Sequence, residues 1–76
     1  MEELLVSIAQ GLVEDPSKVT VTAEEGENEA IVYHLHVAED DMGRVIGKQG
    51  RIAKAIRTVM RAVATRNNAK VVVEID

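Results

Sequence analysis

Apolar residues recur at helical spacing near the start of the chain. Leu4, Leu5, Ile8 and Leu12 share one side of residues 2–13, with Glu2, Glu3, Ser7 and Gln10 elsewhere, which predicts an amphipathic helix. Glu2 and Glu3 suit the positive end of a helix dipole. Asp15-Pro16 predicts its stop, because the residue before proline disfavours helical dihedrals. The pattern then changes to strict alternation. From Lys18 to Glu25, Val19, Val21 and Ala23 face one way and Thr20, Thr22 and Glu24 the other, as in a half-buried strand. Gly26-Glu27-Asn28 reads as a turn. From Ala30 to Ala38, Ile31, Tyr33, Leu35 and Val37 oppose Val32, His34 and His36. Two alternating runs with a short polar link predict an antiparallel hairpin.

Glu39-Asp40-Asp41 is a helix-start signature, with acidic side chains that can cap free N–H groups before Met42. This helix is expected to be short, ended by Gly47. A longer helix is expected from Arg51 to Arg66, with Ile52, Ala55, Ile56, Val59 and Val63 on its apolar face and Arg51, Lys54, Arg57 and Arg61 opposite. Asn67-Asn68 reads as a turn, and Lys70 to Ile75 as a final strand with Val71, Val73 and Ile75 on one side. The order is helix, strand, strand, short helix, long helix, strand. Each strand has one apolar side, so one layer of helices is enough to cover the sheet. A connection carrying two helices suits a right-handed crossover, which makes the last two strands parallel neighbours. The expectation is an α+β fold, order α-β-β-α-α-β, with a three-stranded mixed sheet and helices on one face. Residues 1–76 are expected to form a single domain.

Composition narrows the function. The chain is 46% hydrophobic and 29% charged, ordinary for a globular domain. It has no apolar run of about 18 residues that would span a membrane, and its acidic start is unlike a signal peptide. It has no cysteine, hence no disulfide frame and no thiolate chemistry. The default location is the cytosol. Net charge is −4, which at first argues against a nucleic-acid partner. The distribution reverses that argument. Residues 1–41 hold eleven acidic residues and one basic residue, Lys18, whereas residues 42–70 hold eight basic residues and no acidic one. Binding depends on the local field, not the total, and a basic patch on one face is what a nucleic acid leaves in a sequence. The competing reading is two halves paired across the surface.

The chemistry concentrates at Val45-Ile46-Gly47-Lys48-Gln49-Gly50-Arg51. Two glycines bracket two polar residues, an apolar pair leads in, and a basic amphipathic run follows. A tight turn opening a helix presents unpaired N–H groups and partial positive charge. Glycine lets another molecule approach the backbone closely. With Lys48 and Arg51 beside it, the turn reads as a phosphate cradle.

Ile46-Gly47-Lys48-Gln49-Gly50 resembles the GXXG loop of KH RNA-binding domains, a loop that clamps about four nucleotides of a single strand. The element order resembles the type II KH arrangement across essentially the whole chain. Asp41-Met42-Gly43-Arg44-Val45-Ile46-Gly47-Lys48-Gln49-Gly50-Arg51 is similar to the KhpA family of small bacterial single-domain KH proteins. One position departs from the KH pattern: three residues after the second glycine, where a large aliphatic residue is common, stands Ala53, with Ile52 beside it.

The resemblance implies single-stranded RNA as ligand, with Gly47, Lys48, Gln49, Gly50, Arg51, Arg44, Ile46 and Lys54 as binding residues. In that arrangement the backbone of Gly47 to Gly50 meets the sugar–phosphate chain. Lys48 and Arg51 neutralise phosphates, Gln49 donates a hydrogen bond, and Val45, Ile46 and Ile52 line the groove. A solvated helix face is the competing reading for Lys54, Arg57, Arg61 and Arg44. The resemblance further implies self-association as a homodimer, a complex with a second KH-domain protein (KhpB, also called Jag or EloR), and an RNA-chaperone role linked to cell elongation and cell-wall biogenesis. No cofactor is implied.

Other readings are weaker. Tyr33 is the sole aromatic residue and falls on the apolar side of its strand, so a stacking platform of several aromatics is absent. His34 and His36 share a strand face but are too few for a zinc site. The G-x-x-x-x-G-K-[ST] spacing of a nucleotide-binding loop is missing, and no carboxylate is paired with a nucleophile, so an enzyme is not expected. A protein–protein adaptor or dimerisation module with little RNA binding of its own is the alternative.

Overall fold

The computed structural model describes residues 1–75, with the Lys48 side chain outside the described set. The helix α1 (Glu2–Leu12) is followed by a 3-10 turn (Pro16–Lys18), the strand β1 (Thr20–Glu25), a second 3-10 turn (Glu27–Glu29) and the strand β2 (Ile31–His36). The helical segment α2 (Glu39–Arg66) and the strand β3 (Val71–Ile75) complete the order. β1 pairs antiparallel with β2, with Val21 opposite Leu35 and Ala23 opposite Tyr33. β2 pairs parallel with β3, with Tyr33 opposite Val73. The sheet order is β1-β2-β3, so the mixed sheet and its parallel crossover are as the pattern predicts.

The helices cover one face of this sheet. Leu5 and Ala9 from α1, and Ile56 and Met60 from α2, pack on Tyr33, Leu35 and Val73. Each large side chain fully buried there contributes about 1.5–3 kcal/mol. Tyr33 is 5% exposed, in the core as its strand position implies. Along β2 the exposure alternates, with Tyr33 and Leu35 buried and Val32, His34 and His36 half-buried on the opposite face. On that face His34 Nε2 lies 2.6 Å from Glu24 Oε1 of β1.

Four expectations need correction. First, α1 buries Leu5 and Ala9, with Val6 and Ile8 partly buried against the same core, while Leu4 and Leu12 stay exposed; its core face is rotated from the one expected. Second, β1 is an edge strand, and Ala23 is exposed despite its place in the apolar alternation. Third, α2 buries Ala53, Ile56, Met60 and Ala64 in its later part, with Ala55 and Val59 exposed, so its core face is rotated from the one the large aliphatics suggest.

Fourth, Gly47 does not end the first helix. Helical hydrogen bonding runs through it, and the interruption comes at Gln49 and Gly50, whose φ values are 64° and 67°. Two consecutive left-handed residues cannot continue a right-handed helix. α2 is therefore two helices in series, residues 39–48 and 51–66, meeting at that turn. Among the described residues no helix is long and apolar enough to cross a membrane.

Candidate nucleic-acid interface

The joint between the two helices of α2 is built from outward-facing glycines. A Cβ added at Gly43, Gly47 or Gly50 would meet no heavy atom within 4 Å. Glycine suits the left-handed backbone of Gly50, whose φ is 67°. Gln49 adopts the same conformation, where a non-glycine residue costs about 1–2 kcal/mol. Asn28, Glu29 and Asn68 also have positive φ, so the conformation marks a tight turn in each place and does not by itself single out the joint. Gly47 has no conformational need of this sort. A glycine inside a helix costs about 0.5–1 kcal/mol relative to alanine, and nothing in the chain crowds Gly47. The joint is thus accessible backbone, open to an incoming molecule.

Positive charge surrounds it. Arg51 and Lys54 are exposed, as are Gln49 and, further along the same helix, Arg57 and Arg61. Gln49, Gly50, Lys54, Arg57, Thr58 and Arg61 line one shallow depression of about 370 Å³. The stripe continues to β3, where Arg57 Nε donates to the carbonyl oxygen of Val73 at 3.2 Å. That bond ties the basic face to the open edge of the sheet, so Arg57 is anchored and not merely solvated. A second cleft, of about 670 Å³, lies on the other flank of the joint and is lined by Leu12, Gly43, Arg44, Gly47, Arg51 and Ile52.

The residues singled out from sequence do not all come together. Gly47, Gln49, Gly50, Arg51 and Lys54 come together around the joint. Ile46 is 53% exposed, available as an apolar surface beside it, while Val45 is fully buried and cannot line a groove. Ile52 is half-buried and faces the second cleft. Arg44 reaches that cleft too, but its Nη2 donates to Glu14 Oε1 at 2.7 Å. Lys48 belongs to the turn by sequence; its side chain lies outside the described residues.

Sequence reasoning missed Asp41. The Glu39-Asp40-Asp41 run was expected to cap its own helix, but Ala38 occupies the N-cap and no side-chain cap bond forms. Asp41 is instead 2% exposed. Its Oδ1 accepts the backbone N–H of Glu14 and its Oδ2 that of Asp15, both at 3.0 Å. A carboxylate receiving two amides makes strong, charge-assisted bonds. It fastens the segment after α1 to the start of α2. The available signal was spacing: Asp41 and the buried Val45 lie four apart, on one helix face.

The histidine pair gains no third ligand: among the described residues no group of His, Cys, Asp or Glu is arranged to hold a metal ion.

Comparison with known proteins agrees with this architecture. The family model described as "KhpA/KhpB, KH domain" matches residues 2–75. The chain is 53% identical over 75 residues to the RNA-binding protein KhpA of Listeria monocytogenes, covering 99% of this chain and 97% of that one. It is 56% identical over 75 residues to the protein of the same name from Clostridium acetobutylicum and 57% to that from Clostridium perfringens, with 99% of each chain covered. No solved structure matches. These relatives carry a binding name and no enzymatic one. A match along nearly every residue, over a mixed sheet with its helices on one side, places this chain in the KhpA/KhpB KH-domain family.

Proposed function

We propose that this chain is an RNA-binding protein that holds a single strand of RNA across the glycine joint of α2. Family membership supports RNA as the ligand. The observation that carries the site is the open joint with its cations: Gly47 and Gly50 are uncrowded, and the exposed Arg51 and Lys54 stand beside them. Accessible backbone flanked by positive charge suits a close approach by a phosphate chain. In this reading the backbone of Gly47 to Gly50 lies against the sugar–phosphate chain. Arg51, Lys54 and Lys48 neutralise phosphates, Gln49 donates a hydrogen bond, and Ile46 and Ile52 offer apolar surface to bases. Arg44 contributes once its carboxylate partner is displaced. The sole aromatic residue is in the core, so stacking adds little, and affinity is modest with loose sequence preference.

The biological role follows the family resemblance: an RNA chaperone acting in the cytoplasm, as a homodimer or with a second KH-domain protein of the KhpB type. The second reading, an adaptor that self-associates, draws on one observation. Leu4, Leu12 and Val59 are exposed, with Leu12 beside Ile52 in the cleft between α1 and α2, leaving apolar surface for another protein.

The test is a salt titration of binding to short single-stranded RNA and DNA. Each phosphate neutralised on a single strand contributes about −0.7 to the slope of log affinity against log salt. A cradle for about four nucleotides should therefore give a slope between about −2 and −3. A slope near zero removes the phosphate contacts and leaves the adaptor reading.

A further inference from the structure

We propose that Glu14 sets the strength of the nucleic-acid interface by occupying Arg44 until a phosphate replaces it. The inference rests on the RNA-binding reading above. Its geometry has three parts. Arg44 Nη2 meets Glu14 Oε1 at 2.7 Å, across thirty residues of sequence. Arg44 also lines the cleft that contains Gly47 and Arg51, so the guanidinium is held beside the joint. The backbone on both sides of the Glu14 Cα is fixed, because the buried Asp41 carboxylate accepts the Glu14 and Asp15 amides at 3.0 Å. The Glu14 side chain is thereby tethered close to Arg44 at a high effective concentration.

The pair is nonetheless easily exchanged. The two side chains are 49% and 71% exposed, and exposed pairs of this kind are weak and sensitive to salt. A phosphate offers the guanidinium the same charge with more acceptor oxygens, in a geometry that favours two parallel bonds. Glu14 therefore competes with the RNA backbone for one cation. It lowers affinity for all strands alike and leaves base preference unchanged, since a phosphate contact carries no sequence information. Asp41 acts through Glu14 and is a positioning residue.

The experiment compares Glu14→Gln with the natural chain, titrating a fluorescent oligouridylate at low salt. Glu14→Gln should bind about two- to five-fold more tightly, the range an exposed ion pair spans. The gain should vanish in an Arg44→Gln background. Glu3→Gln makes the same change in net charge near the far end of α1. It should leave affinity nearly unmoved, because Leu12 lines the cleft while Glu3 sits at the other end of α1, about 13 Å away along a helix rising about 1.5 Å per residue, and charges more than about 10 Å apart are screened at 0.1 M salt. Equal gains from Glu14→Gln and Glu3→Gln, or a gain that survives Arg44→Gln, would overturn the inference while sparing the RNA-binding reading. No binding by any variant, natural chain included, would overturn both.

Discussion

The turn at Gly26 and the joint at Gly47–Gly50 both interrupt regular structure with glycine, and they differ in what surrounds it. At Gly26 the chain itself supplies the reason. A Cβ there would fall 2.9 Å from Val32 Cγ2 and 3.5 Å from the Ala30 carbonyl oxygen, and the Gly26 N–H donates to that same oxygen at 2.7 Å. The residues around it are acidic: Glu25, Glu27 and Glu29. At the joint the glycines face open space, and the charges around them are basic. One glycine turn is closed by its own neighbours. The other is left open at a local cost. A glycine crowded by its own chain is explained from within, as Gly26 is; uncrowded glycines become a candidate contact only where charge gathers beside them, as it does at the joint and not at the equally open Gly11.

The largest expected effect breaks the open turn. Gly47→Asp with Gly50→Asp puts two carboxylates against incoming phosphates, and like charges brought together cost several kcal/mol. RNA affinity should fall about a hundredfold or more, while circular dichroism keeps its native shape. A retained affinity would remove the joint from the interface. Next in size is the closed turn. Gly26→Ala should strain the hairpin against Val32 by about 1–3 kcal/mol, the usual cost of overpacking. Melting should drop by about 4–8 °C for each kcal/mol, with RNA affinity of the folded protein unchanged. A loss of affinity equal to that at the joint would erase the contrast. The smallest effect sharpens it most. Gly47→Ala should raise stability by about 0.5–1 kcal/mol, seen as a higher melting temperature, and weaken RNA binding at the same time. A single methyl that stabilises the fold and harms the interface separates the two roles of that position.

The contrast also shows what the amino-acid order reveals. Strand alternation was legible, because a period of two leaves Tyr33 and Leu35 one side to choose. A break between two helices was legible as well, though it falls at Gln49 and Gly50 and not at Gly47, because glycine spacing is a local signal. The helix faces were less so. Large aliphatics rightly suggested Leu5 and Ile56 but also Leu4, Leu12 and Val59, which are exposed, while Ala9, Ala53 and Ala64 are buried; alanine carries a weak hydrophobic signal but permits close packing. Val45 looked like groove lining and is core. Asp41 and the pairing of Arg44 with Glu14 were invisible, since their partners lie 26 to 30 residues away. An acidic run before a helix has a local explanation that hides a distant one.

The parallel pairing of β2 with β3 has a consequence for how the protein comes into being. The strands that meet there are separated by both helices of α2, and closing so long a loop is slow compared with zipping a neighbouring hairpin. During synthesis the acidic first half emerges and forms its hairpin while the basic half is still being made. Residues 71–75 close the sheet edge under the later part of α2, adding Val73 to a core that Ile56 and Met60 already share with Tyr33 and Leu35 of β2. A nascent chain halted before that strand would lack the carbonyl oxygen of Val73 that receives the Arg57 Nε–H.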